Sequence, residues 1–219
     1  MTIMRDYLNE KYSEEDDEYF ERKFGVYHAS GSGKCPRRRY FDFVEDTQVE
    51  ARAYPHFELG NMIEDIFEDA LIARYGHRYV VNGLPIEIPI DDFVLVGETD
   101  PVIINDNFEI RELWECKSTS NLSYTRDGPK RAHVRQVHAY MYGLKLFECN
   151  IIYVNKKNLR TQVHPVEFDP EIWAEIVADW RTVHEAIVNE EPPGPESDED
   201  RQDHFCSHDA RCCKNALDG

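Results

Sequence analysis

The most constraining feature of the sequence is the stretch from 93 to 119, FVLVGETDPVIINDNFEIRELWECKST. β-Branched and aromatic residues dominate both of its ends, and Asn-Asp-Asn at 105–107 interrupts the middle, so we predict two strands joined by a turn. Pro101 cannot donate a ladder hydrogen bond, and it marks the end of the first strand near residues 97–100. The second strand contains Glu115-Cys116-Lys117.

Side chains alternate between the two faces of a strand, so Glu115 and Lys117 should share one face and Trp114 and Cys116 the other. We expect one face to pack and the other to carry chemistry. If the two strands pair, Asp100 lies near Glu115, and two carboxylates about 4 Å apart repel by roughly 4 kcal/mol at an effective dielectric near 20. A hard divalent cation, Mg²⁺ or Mn²⁺, would turn that repulsion into attraction. Lys117 would then face the negative charge that grows during phosphodiester cleavage.

These residues resemble the motif of the PD-(D/E)XK nucleases, and Gly-Glu-Thr-Asp at 97–100 is similar to that of their RecB-like branch. The resemblance implies an α/β fold in which a restriction-endonuclease-like mixed sheet is flanked by helices. It also implies a glutamine and a tyrosine on the helix after the second strand, where Gln136 and Tyr140 lie one turn apart. By resemblance these two position DNA, while Asp100, Glu115 and Lys117 are catalytic.

The resemblance also implies a metal-binding side chain on an earlier helix, which we predict from about 55 to 75 with Gly76 as its stop. In the family, a histidine or glutamate four residues after a helical glycine helps to bind the metal. Glu64, one turn after Gly60, takes that place, and Asp65 and Glu68 are neighbouring alternatives. The family also uses a backbone carbonyl at the position of Cys116. The implied ligands of Mg²⁺ or Mn²⁺ are Glu64, Asp100, Glu115 and the Cys116 carbonyl.

Hydrophobic periodicity predicts further helices at about 4–24, 129–147 and 169–188, and further strands at 79–89, 150–155 and 162–168. Gly-Ser-Gly-Lys at 31–34 suggests a phosphate-binding loop. We reject that interpretation because the first glycine of the motif falls on His28 and Cys35 replaces the magnesium-binding hydroxyl. We interpret His133 and His138 as surface or core histidines rather than as ligands.

Length and hydropathy bound the organisation of the chain. Its 219 residues are enough for one substantial core, so we expect a single domain over 1–219. The sequence contains no apolar run long enough to span a bilayer, and its first residues are too acidic for a secretory signal. We therefore expect a cytoplasmic protein.

The formal charge of −18, from 43 acidic and 25 basic residues, is unusual for a protein that binds DNA. Either the chain does not contact nucleic acid, or it works in concentrated salt, where an acidic surface aids solubility and counterion release contributes little to affinity. We favour a salt-loving source because the basic residues are grouped: Lys34, Arg37, Arg38 and Arg39; Arg126, Lys130, Arg131 and Arg135; and Lys156, Lys157 and Arg160.

The cysteines suggest a second metal site. A proline-rich acidic stretch at 189–203 has the composition of a linker and leads to a tail that contains three cysteines. In a cytoplasmic protein such a tail indicates metal more than disulfides. The tail and the N-terminal part together offer the four thiolates that an iron–sulfur cluster needs: Cys35, Cys206, Cys212 and Cys213. Cys116 and Cys149 lie within predicted core elements and are interpreted as structural.

This cysteine pattern narrows the resemblance to the CRISPR-associated RecB-like exonucleases (the Cas-four family), in which three tail cysteines join an N-terminal cysteine on a 4Fe-4S cluster. Cys206 and Cys212 fit the family's later spacing, but the first tail position falls on Asp203. Cys213 is one substitute ligand; Asp203, His204 and His208 are others, and zinc is an alternative metal. The implied cluster lobe joins residues of about 25–50 to 189–219.

The resemblance implies a metal-dependent DNA exonuclease that acts on single-stranded DNA and trims it before capture as CRISPR spacers, with integrase proteins as partners. Three alternatives remain open: a virus-borne or repair and recombination nuclease of the same build, a catalytically inactive DNA-binding iron–sulfur module, and a metal-sensing or structural protein whose only site is the cysteine cluster.

Overall fold

The structure is a computed structural model that describes residues 3–18, 23–45, 51 and 53–195. Its α-helices are Ile3–Glu18 (α1), Pro36–Val44 (α2), Tyr54–Tyr75 (α3), Arg131–Leu144 (α4) and Pro170–Asn189 (α5). Its strands are Val26–His28 (β1), Val80–Val81 (β2), Pro85–Ile90 (β3), Phe93–Glu98 (β4), Val102–Ile104 (β5), Ile110–Thr119 (β6), Glu148–Asn155 (β7) and Thr161–Glu167 (β8).

The strands form two mixed sheets. One has the order β1-β4-β3, and the other has the order β2-β5-β6-β7-β8. β1 is parallel to β4 and β6 is parallel to β7, while the other pairs are antiparallel. The parallel β6–β7 pair requires a crossover connection, which α4 supplies. The predicted α/β architecture, a mixed sheet arrangement flanked by helices, is thereby confirmed.

Local signals explain where the flanking helices begin and end. Asp169 accepts a hydrogen bond from the Glu171 N–H, and Pro170 occupies the first turn, so α5 begins there. The α5 residues Ile176, Trp180 and Val183 are buried, as its apolar stripe predicts. Lys145 adopts a left-handed conformation (φ 58°) and ends α4.

Two apolar clusters cover opposite faces of the β6–β7 pair. The main cluster includes Val137 of α4 with Ile151 of β7, and the second includes Ile63 of α3 with Cys116 and Ile152. Fully burying one such aliphatic side chain contributes about 1.5–3 kcal/mol. The face of β6 that carries Trp114 and Cys116 packs against α3, as expected, and the face that carries Glu115 and Lys117 lies on the side of α4.

The predicted strands match with two differences. The expected strand at 79–89 is divided into β2 and β3, which join different sheets. Residues 93–104 are likewise divided at Pro101, which lacks the N–H needed to continue a ladder, so β4 and β5 also join different sheets. The short strand β1 was not predicted. The expected N-terminal helix is observed from Ile3 to Glu18 as α1, and residues 19–22 lie outside the described residues.

The segment that overlaps the Gly-Ser-Gly-Lys sequence is a 3₁₀ helix, Ala29–Gly33. A Cβ atom at Gly33 would collide with the carbonyl oxygen of Ala132. The glycine therefore allows this segment to pack closely against α4, which accounts for it without a nucleotide. No helix in the described part of the chain is long and apolar enough to cross a membrane.

Candidate active site

The site lies at an edge of β6 that β5 leaves uncovered. β5 pairs with β6 only as far as Leu113, whereas β7 pairs with the other edge from Trp114 to Thr119. Beyond Leu113, the residues that precede β5 take the place of a neighbouring strand. The Pro101 carbonyl accepts a hydrogen bond from the Trp114 N–H at 3.1 Å, and Asp100 Oδ2 accepts one from the Cys116 N–H at 2.8 Å. The N–H and C=O of one strand residue point towards the same neighbour, so the Cys116 carbonyl faces this edge too.

Glu115 is fully buried and forms an ion pair with Lys117. Among the described residues, no other group reaches its carboxylate oxygens with the geometry of a hydrogen bond. Burial raises the pKa of Glu115 well above its usual range; the charge of Lys117 opposes this effect, and the negative charges of Asp100 and Glu64 add to it. An additional cation close to this carboxyl would therefore strongly stabilise its ionised form.

Lys117 lies among three carboxylates. Burial alone would lower its pKa, but the negative charges of Glu115, Asp100 and Glu64 together raise it above the usual range. The surrounding carboxylates therefore favour the ammonium form of the amine. As an ammonium it can donate hydrogen bonds and stabilise negative charge.

Glu64 reaches the site from α3, on the opposite side of β6 from α4. A Cβ atom at Gly60, one turn earlier, would lie 3.9 Å from Ser118 Oγ, so α3 runs close to the end of β6. The surrounding protein raises the pKa of Glu64, and the negative charge of Asp100 raises it further. The structure thus brings Glu64, Asp100 and Glu115 into one electrostatic cluster, as the sequence predicted for Asp100 and Glu115.

The cluster has the donor chemistry of a divalent metal site. Its donors are three carboxylates and a backbone carbonyl, which suit Mg²⁺ or Mn²⁺. Within the ranges that the structure describes, no three His, Cys, Asp or Glu side chains are already arranged to hold a metal ion. Instead the Lys117 ammonium balances the Glu115 carboxylate. The residues fit a divalent metal by their chemistry.

Gln136 and Tyr140 of α4 share a face, as predicted. Gln136 Nε2 donates a hydrogen bond to the Tyr140 hydroxyl at 2.9 Å. Tyr140 is only 3% exposed, and burial raises its pKa, with the negative charge of Glu115 adding to the effect. The pair therefore lies on the α4 side of the cluster, where Gln136 remains partly accessible.

Sequence reasoning did not associate His133 and Tyr153 with the site. Tyr153 is the partner of Lys117 in the parallel β6–β7 register, so the two side chains share a face. The Tyr153 hydroxyl accepts from the Lys130 N–H at 3.0 Å and lies 2.8 Å from His133 Nδ1. Burial lowers the pKa of His133 to about 3, and the positive charges of Lys117 and Lys130 add to this. His138, by contrast, is a core histidine, as expected.

Some of the grouped basic residues are structural. Arg39 and Arg135 are each 4% exposed and both form ion pairs with Asp179 of α5. Arg131 and Arg135 also pair with Glu175 beside a cavity of about 470 Å³ between the 3₁₀ helix, α4 and α5. Lys117 does not line this cavity, and ion pairs between α4 and α5 do.

Of the cysteines that the structure describes, the two interpreted as structural are buried and Cys35 is partly accessible. Cys116 and Cys149 are buried, and burial raises the pKa of both thiols, that of Cys116 to about 12. Cys35 is partly accessible, and its sulfur accepts a hydrogen bond from the Arg38 N–H at the start of α2. The remaining predicted ligands and their alternatives lie outside the described residues: Cys206, Cys212, Cys213, Asp203, His204 and His208.

Comparison with solved structures shows that this fold is shared with structures of two exonucleases. An alkaline exonuclease (LHK-Exo) from Laribacter hongkongensis superposes with a TM-score of 0.54 at 16% identity, covering 80% of this chain and 93% of its own. Its complex with dAMP gives a TM-score of 0.56 over the same shares.

Two further structures extend the likeness. A phage-related exonuclease from Haemophilus somnus 129PT gives a TM-score of 0.53 at 13% identity, covering 75% of this chain and 96% of its own. The protein SSO0001 gives a TM-score of 0.68 at 16% identity and covers 96% of both chains. No family model matches the sequence, and no curated protein matches it. At these identities the likeness is one of fold.

Proposed function

We propose that this protein is a divalent-metal-dependent deoxyribonuclease that removes nucleotides from a DNA end. The observation that carries the proposal is the meeting of Asp100, Glu115 and Lys117 at the uncovered edge of β6. An acidic cluster around one buried carboxyl, together with the Lys117 ammonium group, has the two charges that phosphodiester hydrolysis needs: a place for a metal and a stabiliser of negative charge. The fold shared with exonucleases supports the same conclusion.

Mg²⁺ or Mn²⁺ would be held by Glu64, Asp100, Glu115 and the Cys116 carbonyl. When bound, such an ion polarises a phosphoryl oxygen and lowers the pKa of a coordinated water. The protein would hold this set with groups from three elements: Glu64 from α3, Asp100 from the turn before β5, and the other two from β6. The hydrogen bond from the Cys116 N–H fixes the Asp100 carboxylate relative to the strand.

Lys117 and the Gln136–Tyr140 pair have separate proposed roles. The carboxylates around Lys117 favour its ammonium form, so we assign it to stabilising the charge that accumulates on the phosphoryl oxygens or to orienting the attacking water. Gln136 donates to the Tyr140 hydroxyl, which holds the amide in one orientation beside the cluster. Its carbonyl oxygen and remaining N–H would then position the DNA strand.

The iron–sulfur cluster is a second part of the proposal. Arg37 Nη1 donates a hydrogen bond to the Pro193 carbonyl at 2.6 Å, so the last described residues lie beside the first turn of α2, which Cys35 caps. Cys206, Cys212 and Cys213 follow this point in the sequence. This proximity supports a lobe in which both ends of the chain bind one 4Fe-4S cluster, or zinc in its place.

For the cellular role, the family resemblance leads us to propose trimming of single-stranded DNA before its capture as CRISPR spacers, with integrase proteins as partners. The acidic composition leads us to propose that this occurs at high salt concentration.

The test is digestion of end-labelled single- and double-stranded DNA with Mn²⁺, with Mg²⁺ and with a chelator, over a range of salt concentrations. We expect labelled mononucleotides or short products only with metal. Lys117→Ala should slow cleavage by at least about 100-fold, the effect of removing one electrostatic stabiliser. Lys145→Ala, an exposed lysine at the end of α4, is the matched control. Metal-independent binding without cleavage, or full activity of Lys117→Ala, would refute the assignment.

A further inference from the structure

Two segments that are far apart in sequence meet at the carboxyl ends of β6 and β7. The first, 118–131, contains the end of β6 and a 3₁₀ helix, Leu122–Thr125; the second, 155–162, is the turn between β7 and β8. The Lys156 N–H donates to the Thr119 carbonyl at 2.8 Å, which fixes the two segments side by side.

The charge of these segments is opposite to that of the chain. They contain six basic residues and one acidic residue, Asp127, in a protein with a formal charge of −18. Arg131 forms an ion pair with Glu175. The other five form no ion pair with any residue that the structure describes: Arg126, Lys130, Lys156, Lys157 and Arg160. Their positive charge is therefore available to a ligand.

An exposed aromatic ring lies among these cations. Tyr124 is 69% exposed, although the 3₁₀ helix that carries it is firmly held. Its neighbour Thr125 is fully buried, with its hydroxyl 3.1 Å from Gln162 Oε1 of β8. The Asn121 side chain accepts from the Ser123 N–H at 2.9 Å and fixes the start of the same turn. A ring that is presented to solvent by a fixed turn can stack on a flat ligand with little loss of conformational entropy.

The same surface adjoins the candidate active site. Lys130 donates its backbone N–H to the Tyr153 hydroxyl, and Tyr153 is the strand partner of Lys117, with neighbouring strands about 4.8 Å apart. A nucleic-acid backbone that contacts Lys130 would therefore lie close to Lys117, since Tyr153 links the two residues.

We propose that Tyr124 and the five unpaired cations form a binding surface for one strand of nucleic acid, which we call the Tyr124 surface. Tyr124 stacks on an unpaired base, and Arg126, Lys130, Lys156, Lys157 and Arg160 contact the phosphates on either side of it. Alternating aromatic and cationic groups are the general means by which proteins bind single strands without reading sequence. That the strand continues to Lys117 rests on the proposed nuclease function; the binding itself does not.

The test of the stacking contact is fluorescence anisotropy with a labelled oligothymidine of about 20 nucleotides, which exceeds the roughly 4–16 nucleotides that one single-strand-binding fold covers. The full-length protein is used with EDTA, so that no cleavage occurs, and the integrity of the probe is checked on a gel. Tyr124→Ala should weaken binding about five-fold or more, while Tyr124→Trp should bind at least as well as the wild type. Phe147→Ala, which removes a 79% exposed ring at the opposite end of β7, is the matched control and should change nothing.

The test of the phosphate contacts is the salt dependence of the same binding. Changing Lys156, Lys157 and Arg160 together to glutamine should weaken binding and reduce the slope of log K against log salt by about 2, since each phosphate contact to a single strand contributes roughly 0.7. Lys145→Gln should leave the slope unchanged. Polyglutamate competing as well as oligothymidine would show an acidic protein partner instead.

Three outcomes would overturn the Tyr124 surface: wild-type binding by Tyr124→Ala, equal weakening by Phe147→Ala, or effective competition by polyglutamate. Failure of the nuclease assignment has a different signature. A protein that binds oligothymidine through Tyr124 yet cleaves no DNA with Mn²⁺ would retain this surface and lose the proposed activity.

Discussion

Asp100 Oδ2 accepts the backbone N–H of Cys116 at 2.8 Å, which fixes the first carboxylate of the candidate site to the strand that carries the other two charged groups. Asp100 itself belongs to no strand. It occupies the place where a neighbouring strand would otherwise receive that hydrogen bond. Asp100 therefore has two properties: it accepts a hydrogen bond at the uncovered edge of β6 in place of a neighbouring strand, and it carries a negative charge. Substitutions at Asp100 should distinguish the effects of these two properties.

Asp100→Asn and Asp100→Ala should both abolish cleavage, because each removes a carboxylate from the proposed metal site, but they should differ in stability. Asparagine can still accept from the Cys116 N–H, whereas alanine leaves that donor without its partner, at a cost of about 1–3 kcal/mol if water does not replace it. Urea unfolding should therefore show Asp100→Asn close to wild type and Asp100→Ala less stable. Equal stability of the two variants would contradict a structural role for this hydrogen bond.

Lys117 and Glu115 should be strongly coupled. Lys117→Met leaves a fully buried carboxyl without its cation, and breaking a buried ion pair in this way costs about 3–5 kcal/mol. In the Glu115→Gln background the same change should cost about 1 kcal/mol or less, because no buried charge is left unpaired. A double-mutant cycle from urea unfolding measures the difference. Additive effects of the two substitutions would contradict the ion pair.

The loss of stability in Lys117→Met should depend on pH. Burial already raises the pKa of Glu115, and removing Lys117 removes the charge that opposes this shift. A carboxyl whose pKa is raised on folding binds more protons in the native state, so stability falls as pH rises above the unfolded pKa of about 4.3. The folded pKa of Glu115 in the wild type is itself raised to about 8, so the two proteins should lose stability together up to that pH and diverge above it. The destabilisation of Lys117→Met relative to wild type should therefore be larger at about pH 9.5 than at about pH 7. A larger destabilisation at the lower pH would mean that another group stabilises the ionised Glu115 carboxylate in the variant.

His133 should give the opposite pH dependence. Burial lowers its pKa to about 3, so between that value and the unfolded pKa of about 6.5 the unfolded chain binds more protons. The stability that neutral His133 contributes is complete above about pH 6.5 and is lost as pH falls. Between pH 7 and pH 4, the free energy of unfolding should fall by roughly 2–4 kcal/mol more in the wild type than in His133→Phe, after allowance for partial solvent screening. His77→Phe, at an exposed histidine, is the control and should retain the wild-type pH dependence.

The distinction between Glu64 and its neighbours can be tested by metal binding. Mn²⁺ at 100 times its dissociation constant should stabilise the wild type by about 2.7 kcal/mol, since it binds the folded state alone. Glu64→Gln should weaken this stabilisation, and Asp65→Asn should not, because the charge of Glu64 interacts with Asp100 and Lys117. Thermal unfolding with and without Mn²⁺ is the measurement. Loss of the Mn²⁺ effect in Asp65→Asn alone would transfer the role to that residue.

The sequence predicted much of this site because strand alternation is a local property. It places Glu115 and Lys117 on one face, and their ion pair confirms that placement. Alternation could not predict that α3 and α4 cover both faces of β6, because docking of helices depends on contacts between distant segments. The ion pairs of Arg39 and Arg135 with Asp179 join residues 140 and 44 positions apart. For the same reason the sequence grouped these arginines with the solvent-exposed cations.

Cys35 provides the remaining test, because it can separate the proposed cluster from the nuclease site. Cys35→Ser should remove or greatly weaken the visible absorption of an iron–sulfur cluster and lower its iron content, since a ligand is lost. Cys149→Ala should retain both, because that thiol is buried in the main core and burial raises its pKa, which disfavours the thiolate that binds metal. The measurements are the visible spectrum and the iron and zinc content of protein purified without oxygen. An unchanged spectrum and metal content in Cys35→Ser would show that the helix-capping thiol holds no metal, and the proposed lobe would then lack its N-terminal ligand.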